Sequence, residues 1–415
     1  MRILHLGKFY PPAFGGMESH LELLAERQQR SCEVTAMVAG GHRRTSTETR
    51  NGVRVIRVGT LCTLSRAPIC PGMARQISLQ EADIVHLHLP NPGAVLSYLA
   101  SGHRGRLVLT EHAEVFGRPV LKRAFVPFLR SALNRAAAVI ATSRACLNQS
   151  SVLAACAGKC RVIPLGIAPP RRQAGSSAGM AALRSRYGSP LILAVGRLVP
   201  YKGFVYLIAA MRNLSASLVI VGDGPEMAHL REAARDCGVA GSGHFAGSVP
   251  GEDIADYFRA AEIFVLPSIE SRESFGIVQL EAMAYGKPVI NTSLNSGVPY
   301  VSLDGVTGFT VAPRDSEALA AKIQRLLDNP LLRARFGEAG RRRVEEEFSA
   351  DRMAQRTLDL YREILQNGRA KTVPPAYAAF RSQAQPAEGG ERPAVPVGAW
   401  GSSERGEDVV SAKHF

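Results

Sequence analysis

The segment Glu273-Ser-Phe-Gly-Ile-Val-Gln-Leu-Glu281, followed by Ala282-Met-Ala-Tyr-Gly-Lys-Pro-Val-Ile290, carries the pattern on which the fold assignment depends. Its two glutamates stand eight positions apart and enclose a Phe-Gly turn and the start of a helix predicted over Gly276–Tyr285. With a rise of about 1.5 Å per helical residue, the carboxylates would lie about 10 Å apart. The two catalytic carboxylates of a retaining glycosidase lie only roughly 5 Å apart. The separation suits two contacts on one long ligand, such as the sugar and the ribose of a nucleotide sugar, with helix N-terminal amides facing the diphosphate between them.

Two cations follow an apolar strand in the second half of the chain. Gly196-Arg197 comes directly after the predicted strand Leu191–Val195, and Lys202-Gly203 follows five residues later. Negative charge develops on the phosphate oxygens of a departing nucleoside diphosphate, and fixed cations stabilise that charge. These side chains therefore predict a diphosphate site at a strand-to-helix turn, where they would take the place of a metal ion. Two surface cations near a turn are the alternative interpretation.

Together these motifs resemble the retaining glycosyltransferases of family 4, which have the GT-B fold. The E-x7-E pattern of that family is carried by Glu273 and Glu281. Its flanking matches are Phe264-Val-Leu-Pro-Ser268, Ser296-Gly-Val-Pro-Tyr-Val-Ser302 and Asp304-Gly-Val-Thr-Gly-Phe309. The resemblance covers about residues 1–366. It implies two doubly wound α/β domains of Rossmann-like topology that face each other across a cleft, with a C-terminal helix that crosses back to the first domain.

The resemblance also implies roles for the residues of these motifs. The first glutamate of the family bonds the donor sugar and the second holds the ribose, which implies Glu273 and Glu281 here. The G-R-x4-K-G pattern binds the diphosphate, which implies Arg197 and Lys202. Glu273, Arg197 and Lys202 are also expected to take part in catalysis. The full set of expected donor-binding residues is Gly16, Gly196, Arg197, Lys202, Gly222, Gly224, Glu273, Ser274, Phe275, Gly276, Ile277, Val278 and Glu281.

In the first half of the chain, the resemblance points to a glycine loop and to a histidine. The loop Lys8–Gly16 lacks the G-x-G-x-x-G fingerprint of dinucleotide-binding proteins. In the family it approaches the donor phosphates and the acceptor, where a residue without a Cβ is needed. His112 is implied as a catalytic residue near the C6 hydroxyl of the sugar, because a neutral imidazole can accept or donate a proton there. Gly15, His88 and Glu111 are candidate acceptor contacts, with a satisfied buried histidine as the equal alternative for His88.

The order of apolar segments predicts two α/β domains. Strand and helix patterns alternate over the first half and again over the second, as in parallel sheets, and 415 residues are enough for two cores. The predicted parts are an N-terminal acceptor-binding domain over 1–168, a nucleotide-sugar-binding domain over 180–348 and a crossover helix over 349–366. A linker is predicted over Pro169–Gly179, and the Pro-, Ala-, Gly- and Ser-rich segment 368–415 is predicted to be disordered.

The net charge of +14 is concentrated in the first half of the chain. Residues 1–170 hold 21 lysines and arginines against nine acidic residues, whereas the remainder holds 29 against 27. A basic domain can bind nucleic acid or an anionic bilayer, but no nucleic-acid motif is present. Residues 118–136 predict a basic amphipathic helix that Pro127 kinks or divides. This helix could lie in a membrane interface or pack its apolar side against its own core.

The remaining features concern the cellular compartment. No apolar run reaches the roughly 18 residues of a membrane span, and the N-terminus shows no secretory pattern. The seven cysteines have no metal-binding spacing and indicate reduced thiols. The expected location is therefore the cytoplasm, with peripheral contact at the inner face of the cell membrane. No cofactor, metal ion or nucleic-acid partner is expected.

The expected activity is retaining transfer of a hexose to a lipid-linked or polysaccharide acceptor in cell-surface glycan synthesis. The segments around Glu281 and Ser296 resemble a bacterial O-antigen subgroup that uses GDP-linked mannose or deoxyhexoses. Many other members have Gly-Gly-x-Pro-Glu where Ser296, Gly297 and Tyr300 stand, and loss of that carboxylate disfavours UDP-glucose. A UDP-sugar donor, a nucleotide-sugar epimerase and a non-catalytic scaffold are the alternatives. Few acidic residues in the first half disfavour the epimerase.

Overall fold

The structure is a computed structural model that describes residues 1–12, 15–64, 67–112, 119–170, 177–251 and 253–367, and these residues form two α/β domains. The strands of the first domain are β1 (Arg2–Leu6), β2 (Glu33–Ala39), β3 (Ser46–Arg50), β4 (Val53–Val58), β5 (Cys62–Leu64), β6 (Ala67–Ile69), β7 (Ile84–Leu89), β8 (Arg106–Glu111), β9 (Ala138–Ala141) and β10 (Cys160–Val162). Its helices are α1 (Gly16–Gln28), α2 (Met73–Ser78), α3 (Pro92–Ser101), α4 (Pro119–Arg135), α5 (Arg144–Gln149) and α6 (Ser151–Ala154).

The first domain is built on an eight-stranded sheet with the order β10-β9-β8-β7-β1-β2-β4-β3. All pairs are parallel except the edge pair β3–β4. Continuous apolar strands form its centre, because helices cover both faces of a parallel sheet and leave no solvent face for polar residues. Strand β3 is not predictable from the sequence pattern, since all five of its residues are exposed and it has no apolar alternation.

The second domain repeats this plan with a six-stranded parallel sheet. Its strands are β11 (Leu191–Val195), β12 (Ser217–Val221), β13 (Gly243–Gly247), β14 (Ile263–Val265), β15 (Val289–Thr292) and β16 (Gly308–Val311), in the order β13-β12-β11-β14-β15-β16. Its helices are α7 (Ser177–Tyr187), α8 (Phe204–Ala210), α9 (Met227–Asp236), α10 (Ile254–Ala260), α11 (Ile277–Ala284), α12 (Val298–Val301), α13 (Ser316–Asp328) and α14 (Pro330–Glu347). The predicted fold class, two doubly wound α/β domains, is confirmed.

The last helix, α15 (Ala350–Asn367), packs against the first domain. Its apolar residues Met353, Leu358 and Ile364 belong to the same buried cluster as Ile3 and Val34 of the first sheet. Directly before this helix, a β-bridge pairs Ser349 with Ile167 at the end of the first domain. The predicted crossover of the C-terminal helix is therefore confirmed.

Two predicted connecting segments lie partly or wholly outside the described residues. Residues 171–176 of the predicted linker are not described, and α7 already begins at Ser177, so the last three residues of that segment are helical. The segment 368–415, predicted to be disordered, also lies outside the described residues.

The basic amphipathic segment forms the single helix α4, with Pro127 inside it. Phe125, Leu129 and Leu133 are buried in the core of the first domain, which is the arrangement of an ordinary surface helix. Phe128 stays 48% exposed, and Arg123 and Arg130 of the same helix are also exposed. The side chains of residues 119–122 lie outside the described part. Among the described residues, no helix is both long and apolar enough to cross a bilayer.

Candidate active site

An ion pair lies at the carboxyl edge of the second sheet, where ligands bind in open α/β folds. Lys202 follows β11 and Glu273 follows β14, and these strands are neighbours in the sheet. Lys202 Nζ lies 2.5 Å from Glu273 Oε2, and both side chains are about nine-tenths buried. Ser268 Oγ donates a second hydrogen bond of 3.0 Å to the same oxygen. Lys202, predicted to bind the diphosphate, and Glu273, predicted to bind the sugar, thus form a direct ion pair that the motifs alone do not predict.

Glycines shape the loops that hold the cations. Gly196 and Gly222 have φ values of 155° and 138°, which L side chains rarely adopt. A Cβ on Gly222 would lie 2.0 Å from the backbone oxygen of Gly196, and one on Gly224 would lie 2.3 Å from that of Leu198. The two loops are therefore in backbone contact. Arg197 directly follows Gly196 in the first of these loops, and its side chain is exposed.

The Phe-Gly turn places the start of α11 at the same edge. Gly276 is the N-cap of this helix with φ 68°, and a Cβ there would lie 2.7 Å from a methyl carbon of Leu266. Behind the turn, Asn291 Nδ2 donates to Gln279 Oε1 at 2.8 Å in a fully buried network. Phe275 and Val278 are buried beside it. These contacts hold the turn in place, and the predicted role of the first amides of α11 in facing a diphosphate stays a prediction.

Glu281, one turn into α11, lines a cavity of about 290 Å³ between the two domains. The side facing it is formed by α1, including His20, Glu22 and Glu26, and the near side includes Ile277 and Tyr285. Burial raises the pKa of Glu281 from 4.5 to about 7. A carboxylate in such a place becomes more favourable when it accepts hydrogen bonds from hydroxyl groups of a ligand. The cavity therefore suits a polar group such as a ribose.

A hydrogen bond joins the two edges directly. Ser274 Oγ donates to the backbone oxygen of His112 at 2.6 Å, and Ser274 O accepts from Gly297 N at 2.7 Å. His112 follows β8 in the first domain, and Ser274 lies next to Glu273 in the second. The backbone of the predicted catalytic residue His112 therefore contacts the residue that follows the predicted catalytic residue Glu273.

The first-domain edge contains a cluster of five buried histidines, His5, His20, His86, His88 and His112. His112 Nε2 lies 3.1 Å from His88 Nδ1, and His88 Nε2 lies 3.1 Å from His5 Nδ1. Burial lowers the pKa of every member, to about 4 for His5 and His112. The cluster is therefore neutral at pH 7. His5 and His20 were not singled out by the sequence analysis; the histidine in the apolar strand Ile3-Leu-His-Leu6 was the available signal for His5.

The remaining predicted residues have less distinctive surroundings. Gly15 would place a Cβ against the carboxylate of Glu18, and nothing lies within 4 Å of a Cβ on Gly16, so the structure shows no crowding that demands glycine at Gly16. Glu111 is buried and accepts from Ser150 Oγ at 3.4 Å. Both nitrogens of His88 are bonded to other histidines, which leaves no free polar atom for an acceptor. The acceptor contacts stay predictions.

The arrangement combines two chemically different surfaces. One side of the cleft offers the cations Arg197 and Lys202 and the carboxylates Glu273 and Glu281, which can hold phosphates and hydroxyls. The other offers neutral imidazoles that exchange hydrogen bonds with hydroxyls without carrying charge. Such a site can bind an anionic, hydroxyl-rich ligand and can stabilise negative charge that develops on a leaving phosphate.

Comparisons with known proteins match both halves of the chain. The family model described as "Glycosyl transferase 4-like domain" matches residues 15–166, and the model described as "Glycosyl transferases group 1" matches residues 180–343. The first match ends before the linker predicted over Pro169–Gly179, and the second begins just after it. The E-x7-E segment and both cations lie within the second match.

Individual proteins resemble the chain over nearly its full described length. O-antigen chain mannosyltransferase C of Escherichia coli is 28% identical, over 88% of this chain and 100% of that protein. The GDP-mannose-dependent alpha-(1-6)-phosphatidylinositol monomannoside mannosyltransferase of Mycolicibacterium smegmatis is 31% identical, over 80% of this chain and 91% of that protein. Among solved structures, sucrose-phosphate synthase from Thermosynechococcus elongatus superposes with a TM-score of 0.73 at 23% identity, covering 88% and 99% of the two chains.

Proposed function

This chain belongs to glycosyltransferase family 4, and on that premise we propose that it transfers mannose, or a related deoxyhexose, from a GDP-linked donor with retention of anomeric configuration. The observation that carries the proposal is the buried Lys202–Glu273 pair beside the turn of α11. It sets a cation for the diphosphate next to a carboxylate for the sugar hydroxyls. A glycosidase would need two carboxylates on opposite sides of one glycosidic bond.

The cations account for a transfer that needs neither a metal ion nor a protein nucleophile. As the bond between the anomeric carbon and the diphosphate oxygen breaks, Arg197 and Lys202 stabilise the charge left on that oxygen. The acceptor hydroxyl attacks the same face of the sugar, and its proton passes to the departing oxygen. The new bond then has the configuration of the old one. Closure of the two domains around the donor excludes water and suppresses hydrolysis.

The GDP-linked donor is supported by two independent points. The relative from Mycolicibacterium smegmatis is GDP-mannose-dependent by name, and the segment Ser296–Ser302 lacks the glutamate found in many UDP-glucose-using members. At that place Tyr300 packs instead against the Arg343 guanidinium, 5.4 Å from the ring centre. Glu281 is assigned to the ribose, because it lines the cavity one turn from the diphosphate-facing end of α11.

The acceptor is proposed to be a lipid-linked glycan at the cytoplasmic face of the membrane. The basic balance of residues 1–170 supports attraction to anionic lipid. Helix α4 also carries an exposed aromatic residue, Phe128, and two exposed cations, Arg123 and Arg130. Flotation with vesicles containing anionic lipid should recover the protein at low salt and lose it at high salt. Absence of flotation at low salt would contradict the membrane contact.

A donor panel tests the proposed reaction. Purified protein is incubated with GDP-mannose, GDP-rhamnose, UDP-glucose and ADP-glucose, with and without a chelator, and the product is analysed by NMR. We expect transfer from a GDP-linked donor alone, an α-product from the α-donor, and no loss with chelator. Preference for UDP-glucose would overturn the donor, an inverted product would overturn the mechanism, and metal dependence would overturn the role of the two cations.

A further inference from the structure

The buried histidines of the first domain form a continuous hydrogen-bonded series that ends at His112, whose backbone oxygen contacts Ser274 of the second domain. It runs from Gln28 Oε1 to His5 Nε2 at 2.7 Å, from His5 Nδ1 to His88 Nε2 at 3.1 Å, and from His88 Nδ1 to His112 Nε2 at 3.1 Å. The last atom, His112 Nδ1, is buried and has no partner among the described residues. The chain thus connects α1, β1 and β7 to the loop after β8.

The chemistry of neutral imidazole fixes the direction of every bond in this chain. Each neutral ring has one N–H group and one lone pair, and each N···N contact needs one of each. Gln28 Oε1 can only accept, so His5 donates from Nε2 and must accept at Nδ1. His88 then donates from Nε2 and accepts at Nδ1. His112 therefore carries its proton on Nε2 and a lone pair on Nδ1.

The orientation of the Gln28 amide sets this direction. Its oxygen lies 2.7 Å from His5 Nε2, whereas its nitrogen has no hydrogen-bond partner among the described residues. His5 therefore meets the amide oxygen, and a hydrogen bond to that oxygen needs the proton on His5 Nε2.

We propose that Gln28, His5 and His88 are positioning residues that hold His112 in the Nε2–H tautomer and so present Nδ1 as an unprotonated acceptor for a substrate hydroxyl. The inference rests on the proposed function, because it is the transfer reaction that brings a hydroxyl to this atom. His112 would have the wrong polarity in the opposite tautomer, since an Nδ1–H group cannot accept the hydroxyl hydrogen. Gln28 and His5 would thereby act on the reaction without touching the substrate.

A metal ion is the alternative explanation for clustered histidines. The ligand atoms of His5, His86 and His88, and those of His20, His88 and His112, lie within 4.8 Å of one another. An ion would need a free lone pair from each ring at a common point. Both nitrogens of His5 and of His88 are already used in the chain, and both nitrogens of His86 bond Thr110 and Tyr361. Direct hydrogen bonds therefore describe the cluster better than coordination does.

The surroundings also explain why the chain stays neutral. His20 lies edge-on to His112 with ring centres 4.6 Å apart, and neither of its nitrogens has a partner among the described residues. His86 stacks on His88 at 4.4 Å. A protonated ring at this place would lack contact with water, and a second protonated histidine nearby would repel it. Burial and neighbouring histidines therefore disfavour the charged form of each ring.

The direct test is the tautomer of His112, observed by long-range proton–nitrogen correlation NMR on protein with 15N-labelled histidine. The His112 signals are assigned by their loss in His112→Gln. We expect a single Nε2–H tautomer in the unsubstituted protein at pH 7. The His5→Phe variant keeps a ring of similar size but removes both bonds, so the remaining His88–His112 pair can point either way. Its His112 should be a mixture of tautomers.

His86→Phe is the matched control. It also removes a buried imidazole with two hydrogen bonds and one stacking contact to His88, but it leaves the chain from Gln28 to His112 unbroken. We expect one tautomer in this control. In turnover, His5→Phe should lower kcat by about twofold or more at unchanged donor KM, because about half of the molecules hold the inactive tautomer.

Substitutions at Gln28 provide a second route if His5→Phe does not fold. Gln28→Met removes the acceptor and should mix the tautomers, whereas Gln28→Glu retains an acceptor oxygen and should restore the single one. If His112 stays entirely in the Nε2–H tautomer in both His5→Phe and Gln28→Met, the proposed positioning role of Gln28, His5 and His88 is wrong. A stoichiometric transition metal lost in His88→Phe would also overturn it. An inactive protein with the expected tautomers would refute the transferase function and still support the hydrogen-bonded series that fixes the His112 tautomer.

Discussion

The two edges of the cleft differ in the charge of their buried side chains. At the second-domain edge, charge is concentrated: Lys202 and Glu273 are paired at 2.5 Å with little exposure, and Glu281 lies one helix turn beyond the Phe-Gly turn. At the first-domain edge, five histidines are buried together and none carries charge at neutral pH. Fixed charges stabilise a phosphate that gains charge during the reaction, whereas neutral imidazoles bond hydroxyls without competing for those cations. Each domain therefore supplies a kind of interaction that the other edge of the cleft lacks.

The largest effect should come from removing the cation of the charged edge. Lys202→Met should lower kcat/KM by about 100- to 1,000-fold, because a preorganised group that stabilises developing charge is lost. The variant should also be less stable, since it leaves the Glu273 carboxylate buried without its partner. Steady-state kinetics and chemical denaturation measure the two losses.

A second lysine of the same domain serves as the control. Lys287 is partly buried, has a pKa lowered by burial and donates to the backbone oxygen of Arg259 at 3.0 Å. Lys287→Met should cost stability and leave kcat/KM within about twofold, because this side chain lies away from the edge. Equal kinetic losses in both variants would show that the Lys202 effect is structural. Glu273→Gln in the Lys202→Met background should recover part of the lost stability.

The next effect concerns Glu281→Gln, which should weaken ligand binding but stabilise the ligand-free protein. Glu281→Gln should weaken GDP binding about tenfold or more at pH 8, because hydrogen bonds to a charged acceptor are the stronger ones. In the unsubstituted protein, GDP affinity should rise with pH through about 7 as the carboxyl ionises. Titration calorimetry at pH 6, 7 and 8 checks both statements, and a pH-independent affinity would contradict them.

Stability of the ligand-free protein should respond in the other direction. The folded pKa of Glu281 lies near 7, above its ordinary value of 4.5, so this group's contribution to the unfolding free energy is lost as the pH rises between those values. Glu281→Gln removes that loss and should stabilise the ligand-free protein at pH 8 by about 1–3 kcal/mol. Little gain should remain at pH 4.5, where the carboxyl is protonated in the folded protein.

The charged edge could be predicted from sequence much further than the neutral one. Glu273, Gly276 and Glu281 stand in one continuous segment, so local rules for turns and helices place them without knowledge of the fold, and α11 begins within a residue of its predicted start. The buried pairing of Lys202 with Glu273 could not be predicted, because it depends on β11 and β14 being neighbours. Strand order is a property of the whole sheet.

The histidine cluster shows why the rest was missed. His5 and His86 are register partners on β1 and β7, strands about 80 residues apart in sequence. His20 reaches the same place from α1. Each histidine alone is compatible with an ordinary buried position, and only the register of three adjacent strands brings them into contact. The exposed edge strand β3 was missed for the opposite reason, since it is paired by its backbone and buries no side chain.

The neutral edge predicts a distinct response to acid. His5 and His112 have folded pKa values of about 4 against an ordinary 6.5, so the unfolded chain binds more protons between those values. The unfolding free energy should therefore fall as the pH drops from 6.5 to 4, by up to about 1.4 kcal/mol per pH unit for each histidine. Denaturant melts at pH 7, 6, 5 and 4.5 measure this slope.

A pair of variants separates the two edges in that experiment. Glu281 opposes the histidines over pH 4.5 to 7, so Glu281→Gln should make the acid loss steeper. His20→Leu should make it shallower, because burial also lowers the pKa of His20. An acid slope unchanged by both substitutions would mean that other groups control acid stability.

The smallest effect should come from the hydrogen bond between Ser274 Oγ and the backbone oxygen of His112, which joins the two edges. Ser274→Ala removes the donor to the backbone oxygen of His112 and should cost about 1 kcal/mol, which corresponds to about a fivefold loss in kcat/KM. Ser293→Ala, at an exposed serine of the same domain, is the control and should have no effect. Because the bond reaches the backbone of His112 rather than its ring, Ser274→Ala should act on the approach of the domains and leave the His112 tautomer unchanged. If charge and neutrality are supplied by separate domains, the loss in kcat/KM of the double variant Ser274→Ala, His112→Gln should be smaller than the sum of the two single losses, expressed as free energies. The reason is that the Ser274 hydrogen bond affects the reaction only while the His112 side chain is functional.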